Sequence, residues 1–137
     1  MILLNFRIMK NIQLTSSRND FVLQATRIIE KKIHLEKYSL EMFANDLFMS
    51  ISSLNKKVKT ITGLTPNEFI ENVKFNFSLK LFQESDLSIK EIAYSSGFND
   101  PKYFTRRFKK EYGITPKAYK NSLNKKCGYL WQNFNLN

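Results

Sequence analysis

The chain has 137 residues, 42% of them hydrophobic and 14% aromatic, so it is able to bury one modest core or two small cores that share a helix, and it is not a disordered tail. Only 4 Gly and 3 Pro are present, which disfavours long irregular loops and favours an all-α fold. Lys and Arg number 22 against 12 Asp and Glu, which gives a net charge of +10. On charge alone, a nucleic-acid or acidic-membrane partner is about as well supported as a basic protein with no specific partner.

The N-terminal segment, residues 1–18, is predicted to be extended or to be the remnant of a linker. Its apolar start, residues 1–9, is too short to span a bilayer and lacks the charged beginning and the small-residue cleavage site of a signal peptide. The single cysteine, Cys127, excludes an intramolecular disulfide and is typical of a reducing compartment. We therefore expect a cytoplasmic protein, with no membrane contact made by this segment.

The first predicted subdomain, residues 19–64, begins with a helix over residues 20–32, in which apolar residues recur at helical spacing: Phe21, Ala25, Ile28 and Ile29. Ser39 is the predicted N-cap of a short helix, and Ser50 is that of a longer one. Residues 48–49 form the turn between them. A short helix, a tight turn and a longer helix, in this order, are typical of a helix-turn-helix unit.

A linking helix is predicted over residues 65–84. Thr65 and Glu68 have the spacing of a capping box, and Pro66 occupies the first helical position, where no amide donor is needed. If the helix continues to about Gln83, its length is roughly 27 Å at 1.5 Å per residue. Its apolar stripe is predicted to contain Phe69, Ile70, Val73 and Phe77.

The second predicted subdomain, residues 85–122, repeats the helix-turn-helix order. Ser88 and Glu91 form a second capping box, and Gly97 supplies a left-handed turn residue that a Cβ would penalise. The helix after this turn is predicted to be capped by one of two neighbouring polar residues, Asn99 or Asp100.

An internal repeat relates the two subdomains, because four residues recur fifty positions later: Lys59, Gly63, Thr65 and Pro66 as Lys109, Gly113, Thr115 and Pro116. Ala44 matches Ala93 at an offset of forty-nine, so the second turn is predicted to carry one extra residue. By analogy with the linking helix, a last short helix is expected from Pro116 to Ser122. The tail, residues 123–137, fits no pattern.

The longer helix of each subdomain carries the predicted binding face. One side of the helical wheel is apolar and is expected to be buried: Leu54, Val58 and Ile61 in the first copy, Phe104 and Phe108 in the second. The opposite side is polar or basic in both copies and holds no acidic residue: Ser52, Asn55, Lys56 and Lys59, then Lys102, Thr105, Arg106 and Lys109. An ordinary solvated surface explains one such face, but the match between two favours DNA.

The residue types on this face suit the major groove, where Arg or Lys reads guanine, Asn reads adenine and Ser or Thr is permissive. We expect base contacts from Ser52, Asn55, Lys56, Lys102, Thr105 and Arg106. We expect phosphate contacts, which set the register, from Lys59, Arg107, Lys109 and Lys110. A linker of roughly 27 Å compares with a groove repeat of about 34 Å, so one monomer is expected to read adjacent major grooves of an asymmetric site, with DNA bending if the spacing falls short.

Other functional classes fit less well. His34 and Cys127 lie in no metal-ligand or nucleophile spacing, and the four Gly are too scattered for a phosphate-binding loop, so we expect neither an enzyme, nor a metal, nor a cofactor. An anionic-membrane or protein-interaction module is disfavoured because the Phe residues fall on predicted core faces. RNA binding is harder to exclude, although stacking aromatics interleaved with the basic face are not evident.

Residues 87–119 closely resemble the DNA-binding domain of AraC/XylS-type transcription regulators, and the resemblance extends over about Phe21 to Ser122. It implies about seven helices, two helix-turn-helix subdomains and a linking helix, in a bacterial transcription regulator that binds double-stranded DNA. Residues 11–17 and 65–70 are similar to the C-terminal output domain of hybrid two-component regulators, which are membrane sensors that control genes for polysaccharide use. This implies covalent sensor or receiver domains in a longer parent chain, with RNA polymerase as a further candidate partner.

Three departures from the resemblance distinguish the first subdomain and the linker. Phe48 stands where the family has Gly, and a left-handed backbone there costs on the order of 1 kcal/mol. Lys74 and Ser78 replace a common Arg and Ala, which predicts weaker Arg-based bracing of the two halves. The first recognition helix lacks the Arg and aromatic residues of many members. We therefore expect the first subdomain to bind DNA more weakly, or with a different specificity, than the second.

Overall fold

The computed structural model describes residues 16–35 and 37–124, with side chains described from residue 20 onward. This part of the chain contains seven helices and no strand, which confirms the all-α prediction. In chain order the helices are α1 (Ser16–Lys32), α2 (Leu40–Asp46), α3 (Ile51–Thr62), α4 (Pro66–Glu84), α5 (Ile89–Ser95), α6 (Pro101–Tyr112) and α7 (residues 116–124). The predictions for residues 1–15, 125–137 and Cys127 lie outside the described residues.

Side-chain caps begin α2 to α6 where the sequence predicts them. Thr65 and Ser88 each open a complete capping box, in which the hydroxyl accepts from the N3 amide and the N3 carboxylate accepts from the cap amide. Ser39 caps α2 and Ser50 caps α3, and in each case the serine hydroxyl accepts a hydrogen bond from a backbone amide of the helix. At α6 the cap is Asp100, whose Oδ1 accepts from the Lys102 amide at 2.9 Å, and this decides between the two predicted candidates.

Two helix ends differ from the sequence prediction. The first helix begins at Ser16, so residues 16–18, which were predicted to belong to an extended segment, are helical. No Pro or Gly separates Ser16 from Asp20, so nothing in the local sequence stops the helix at the predicted position. The last helix continues to residue 124 rather than ending at Ser122.

The linking helix α4 has 19 residues and is about 28 Å long, and it contributes to two separate cores. Its first half packs Phe69, Ile70 and Val73 into a core with α1, α2 and α3. Its second half packs Phe75, Leu79 and Phe82 into a core with α5, α6 and α7. The prediction of Phe77 as a core residue is wrong: Phe77 is only partly buried, whereas Phe75 is 0% exposed. A helix buried on two sides does not follow a single apolar stripe.

The internal repeat also includes the helix in front of each helix-turn-helix unit. Residues fifty positions apart in α1 and α4 are buried in both helices: Val22 with Asn72, Ala25 with Phe75, and Ile29 with Leu79. Each copy is therefore a three-helix unit, α1–α3 or α4–α6, rather than a pair of helices. The helix that opens each copy contributes to the core into which the recognition helix packs.

Candidate nucleic-acid interface

Each predicted recognition helix is anchored by apolar side chains that leave its opposite face in solvent. Leu54 and Val58 on α3, and Phe104 and Phe108 on α6, are all 0% exposed. On the outer face of α3, Ser52, Asn55, Lys56 and Lys59 are exposed. On the outer face of α6, Lys102, Arg106, Lys109 and Lys110 are exposed and Thr105 is partly buried. Burial of the apolar side therefore fixes which side chains each helix presents.

The charge on these two faces is uniformly positive. No acidic residue occurs in α3, and the only one in α6 is Glu111, which accepts from Arg107 Nη2 at 3.2 Å. Lys109 and Lys110 lie in the last turn of α6, where their charge is favourable beside the negative end of the helix dipole. A positive surface without interspersed carboxylates is suited to a phosphate backbone.

Arg106 is supported by an aromatic ring. Its guanidinium carbon lies 5.6 Å from the centroid of the Tyr103 ring, within the range of a cation–π contact. The Tyr103 hydroxyl in turn donates to the two carboxylate oxygens of Glu71 on α4, at 3.4 Å each. The arginine that is predicted to read a base is therefore connected, through one side chain, to the linking helix.

Arg107, predicted as a phosphate contact, is bound to carboxylates. Its Nε donates to Glu71 Oε1 at 2.8 Å, and its side chain is 25% exposed. The hydrogen bond to Glu71 is the largest cause that raises the pKa of Arg107 above its ordinary value. Local spacing does not predict this pair, because Glu71 lies 36 positions away in the chain. The fifty-residue offset that relates α1 to α4 was the sequence signal that could have indicated a contact between α4 and α6.

The matching basic residue of the first copy is exposed but also contacts the helix that opens its unit. Lys57 Nζ lies 4.4 Å from the centroid of the Phe21 ring on α1. Phe21 and Glu71 are themselves fifty positions apart, so both contacts join equivalent positions. In each copy, the helix that opens the unit thus holds the same basic position of the recognition helix.

A cleft of about 380 Å³ lies between the linking helix and the second turn, with Glu71, Lys74 and Asp100 among its lining residues. Lys74 Nζ lies 5.8 Å from the centroid of the Phe98 ring, and burial lowers the pKa of Lys74. The Arg107–Glu71 pair lies within the second three-helix unit, so the weaker bracing of the two halves by Lys74 stays a prediction.

Residues 16–35 and 37–124 contain no candidate metal site and no candidate membrane span. In that part of the chain, no group of three or more His, Cys, Asp or Glu side chains is arranged to hold a metal ion. Within the same residues, no helix combines the length and the apolar character needed to cross a membrane.

Comparisons with known proteins agree with this geometry. The model of the helix-turn-helix domain family matches residues 43–122. The histidine kinase P4 of Formosa agariphila is 32% identical over 110 residues, which cover 80% of this chain and 8% of the kinase. The transcriptional activator RhaS of Escherichia fergusonii is 33% identical over 82 residues, which cover 60% of this chain and 30% of the activator. The chain thus spans less than a third of either relative's length.

A solved structure shows the same fold. A DNA-binding transcriptional dual regulator from Escherichia coli K-12 superimposes with a TM-score of 0.67 and 27% identity, over 74% of this chain and 90% of that one. The chain belongs to the helix-turn-helix domain family and is a DNA-binding transcription regulator domain of the AraC/XylS type.

Proposed function

We propose that this chain recognises a specific double-stranded DNA sequence by inserting α3 and α6 into adjacent major grooves of one duplex. The observation that carries the proposal is the matched pair of exposed, basic outer faces on two helices whose inner faces are fully buried. A major groove admits one α-helix, so two such helices in one chain suit two grooves.

The proposal divides the outer faces into readers and anchors. The base-reading residues are Ser52, Asn55, Lys56, Lys102, Thr105 and Arg106. The phosphate-binding residues are the exposed lysines Lys59, Lys109 and Lys110. Readers distinguish sequences, whereas anchors strengthen binding to every duplex and set its salt dependence.

The length of α4 bears on the shape of the bound DNA. About 28 Å of helix is shorter than the roughly 34 Å between successive major grooves on one face of B-DNA. We propose that one monomer binds an asymmetric site and that the DNA bends toward the protein to bring the two grooves together.

In a longer parent protein this domain would act as the output of a sensor. One relative of the chain is a histidine kinase. We extend that role to the parent protein of this chain, so the proposal includes covalent sensor or receiver domains. The proposed site of action is the bacterial cytoplasm, with RNA polymerase as the partner of the bound regulator. The domain acts by binding rather than by catalysis, as is typical of such regulators.

Titration of labelled duplexes across a salt series tests the proposal. A duplex selected from a random pool is expected to bind more tightly than an unrelated duplex or heparin, and log affinity is expected to fall linearly with log salt. A slope near zero, or equal affinity for heparin and every duplex, would contradict it.

A matched pair of variants tests the assignment of readers and anchors. Arg106→Ala is expected to lose roughly 1–3 kcal/mol on the selected site and to relax one base position, whereas Lys109→Ala is expected to weaken all duplexes alike. Identical losses on every sequence would show that the reading face is assigned incorrectly.

A further inference from the structure

One carboxylate adds polar contacts between the linking helix and the second recognition helix, which also share the core around Phe75. Glu71 on α4 accepts from Arg107 Nε at 2.8 Å and, more weakly, from the Tyr103 hydroxyl at 3.4 Å. Tyr103 and Arg107 lie one turn apart on α6, so both bonds join the same side of that helix to α4. The exposed fractions of the Arg107 and Glu71 side chains are 25% and 23%, so solvent screens this pair less than a surface ion pair.

The same carboxylate acts on Arg106 through Tyr103. The Tyr103 ring, held from one end by Glu71, lies 5.6 Å from the Arg106 guanidinium carbon. A guanidinium in contact with a ring that another side chain restrains loses less side-chain freedom when it forms a bidentate contact to a base. The contact with the base edge is therefore prepared before DNA arrives.

We propose that Glu71 is a positioning residue for DNA reading, which touches no DNA itself and orients Arg106 by holding Tyr103 and Arg107. The proposal rests on the proposed function, because it takes Arg106 as a base reader. It reassigns Arg107 from a phosphate contact to the brace of α6. Sequence selectivity of the second unit then depends on the linking helix as well as on the recognition helix.

A phosphate contact by Arg107 is the competing assignment, and charge disfavours it. Moving the guanidinium to a phosphate would leave Glu71 three-quarters buried without its closest donor, with Tyr103 and the charge of Lys74 as its remaining partners. The exposed Lys109 and Lys110 reach solvent without breaking any such pair. The first copy uses the same position differently, since Lys57 rests on the Phe21 ring and not on a carboxylate.

Glu71→Gln and Arg107→Gln separate the two assignments. Each is titrated, in the full 137-residue chain, against the selected duplex and against one altered at the base pair that Arg106 reads. If Glu71 is a positioning residue, either substitution lowers the ratio of the two affinities roughly fivefold. In both variants the slope of log affinity against log salt stays that of the unmodified protein, because no phosphate contact is lost.

If Arg107 binds phosphate instead, the two substitutions act in opposite directions. Glu71→Gln would then release the guanidinium and strengthen binding to both duplexes equally, whereas Arg107→Gln would weaken both equally and reduce the salt slope by about 1. Either result, or an unchanged affinity ratio, overturns the proposal. The double variant is expected to lose no more selectivity than Arg107→Gln alone, because one interaction is removed in both.

Three controls keep the test decisive. Lys57→Gln removes the same charge at the matched position of α3 and is expected to leave the ratio at the Arg106 base pair unchanged. Tyr103→Phe keeps the ring but removes the hydroxyl, so it is expected to show a smaller loss of the same kind even if Arg107→Gln proves too unstable to assay. Arg106→Ala tests the proposed function, which fails if this substitution leaves the ratio of the two affinities unchanged. If Arg106→Ala changes the ratio and Glu71→Gln does not, only the positioning role of Glu71 is refuted.

Discussion

The turns of the two helix-turn-helix units have the same backbone handedness but different surroundings. Phe48 in the first turn has φ 57° and is 95% exposed. Gly97 in the second turn has φ 88°, and a Cβ placed on it would lie 2.8 Å from the Ile33 carbonyl oxygen and 3.2 Å from Lys74 Cε. Both turns are strained for a residue with a side chain, but only the second has no room for one.

This difference shows what a turn glycine does in each unit. In the second unit, Gly97 packs against the residue that follows α1, Ile33, so it serves both the turn and the contact between the two halves. In the first unit the turn faces solvent, and the expected left-handed Phe48 costs conformational energy but meets no obstacle. If each subdomain were considered alone, positions 48 and 97 would look equivalent.

The two cores also differ in the kinds of side chain that they contain. The first is mainly aliphatic, whereas the second is a cluster of aromatic rings around Phe75, whose centroid lies 4.9 Å from that of Phe98 and 5.9 Å from that of Phe104. Aromatic pairs at these separations add to the stabilisation from burial alone. We therefore expect side-chain packing to be better defined in the second unit than in the first.

Removal of the central ring of the second core is expected to have the largest effect. Phe75→Ala should lower the free energy of unfolding by roughly 3–5 kcal/mol, because it leaves a cavity surrounded by rings. Phe77→Ala, two positions along the same helix and only partly buried, should cost much less. Urea denaturation of the two variants measures the difference, and equal losses would contradict the two-sided burial of α4.

Gly97→Ala is expected to come next. The left-handed backbone and the contact with the Ile33 carbonyl together should cost roughly 2–4 kcal/mol of unfolding free energy. Gly113→Ala is the matched control, since Gly113 has φ 79° but no atom within 4 Å of an added Cβ, and it should lose roughly 1–2 kcal/mol from the backbone alone. If both variants lose the same amount, the packing of the second turn against the first subdomain is unimportant.

The two units should also differ as DNA readers. Arg106 is able to make a bidentate contact with guanine and is preorganised by Tyr103, whereas Lys56 is a flexible point charge. We expect Arg106→Ala to cost roughly 1–3 kcal/mol in binding to the selected duplex and Lys56→Ala to cost less. A larger loss from Lys56→Ala in the same titration would reverse the proposed order of the two units.

The smallest effect is expected at the first turn, and it is a gain. Phe48→Gly relieves the left-handed backbone but makes the unfolded chain more flexible, for a net stabilisation of roughly 0.5–1 kcal/mol. Phe48→Ala keeps the backbone cost and, because the ring is 95% exposed, should change stability little. Thermal melting of both variants provides the measurement, and a stabilisation shared by both would show that the ring and not the backbone is unfavourable.

The sequence predicted what depends on local spacing. The capping boxes at Thr65 and Ser88, the left-handed Gly97 and the outer faces of α3 and α6 all follow from residues within one or two helical turns. The burial of Phe75 instead of Phe77 did not follow, because it depends on α4 packing against two cores at once.

Long-range contacts explain the rest of what was missed. The Glu71–Arg107 pair joins residues 36 positions apart, and no local pattern distinguishes an arginine that binds a carboxylate from one that is free to bind phosphate. The assignments of individual base and phosphate contacts remain predictions, since they depend on how the chain meets DNA.

Missing-base interference on the duplex selected from a random pool tests the central claim most directly. If α3 and α6 enter adjacent major grooves, removal of single bases should weaken binding in two clusters centred about 10 base pairs apart, and Arg106→Ala should abolish interference at one position of a single cluster. A single cluster, or interference spread evenly along the duplex, would contradict the insertion of two recognition helices by one chain.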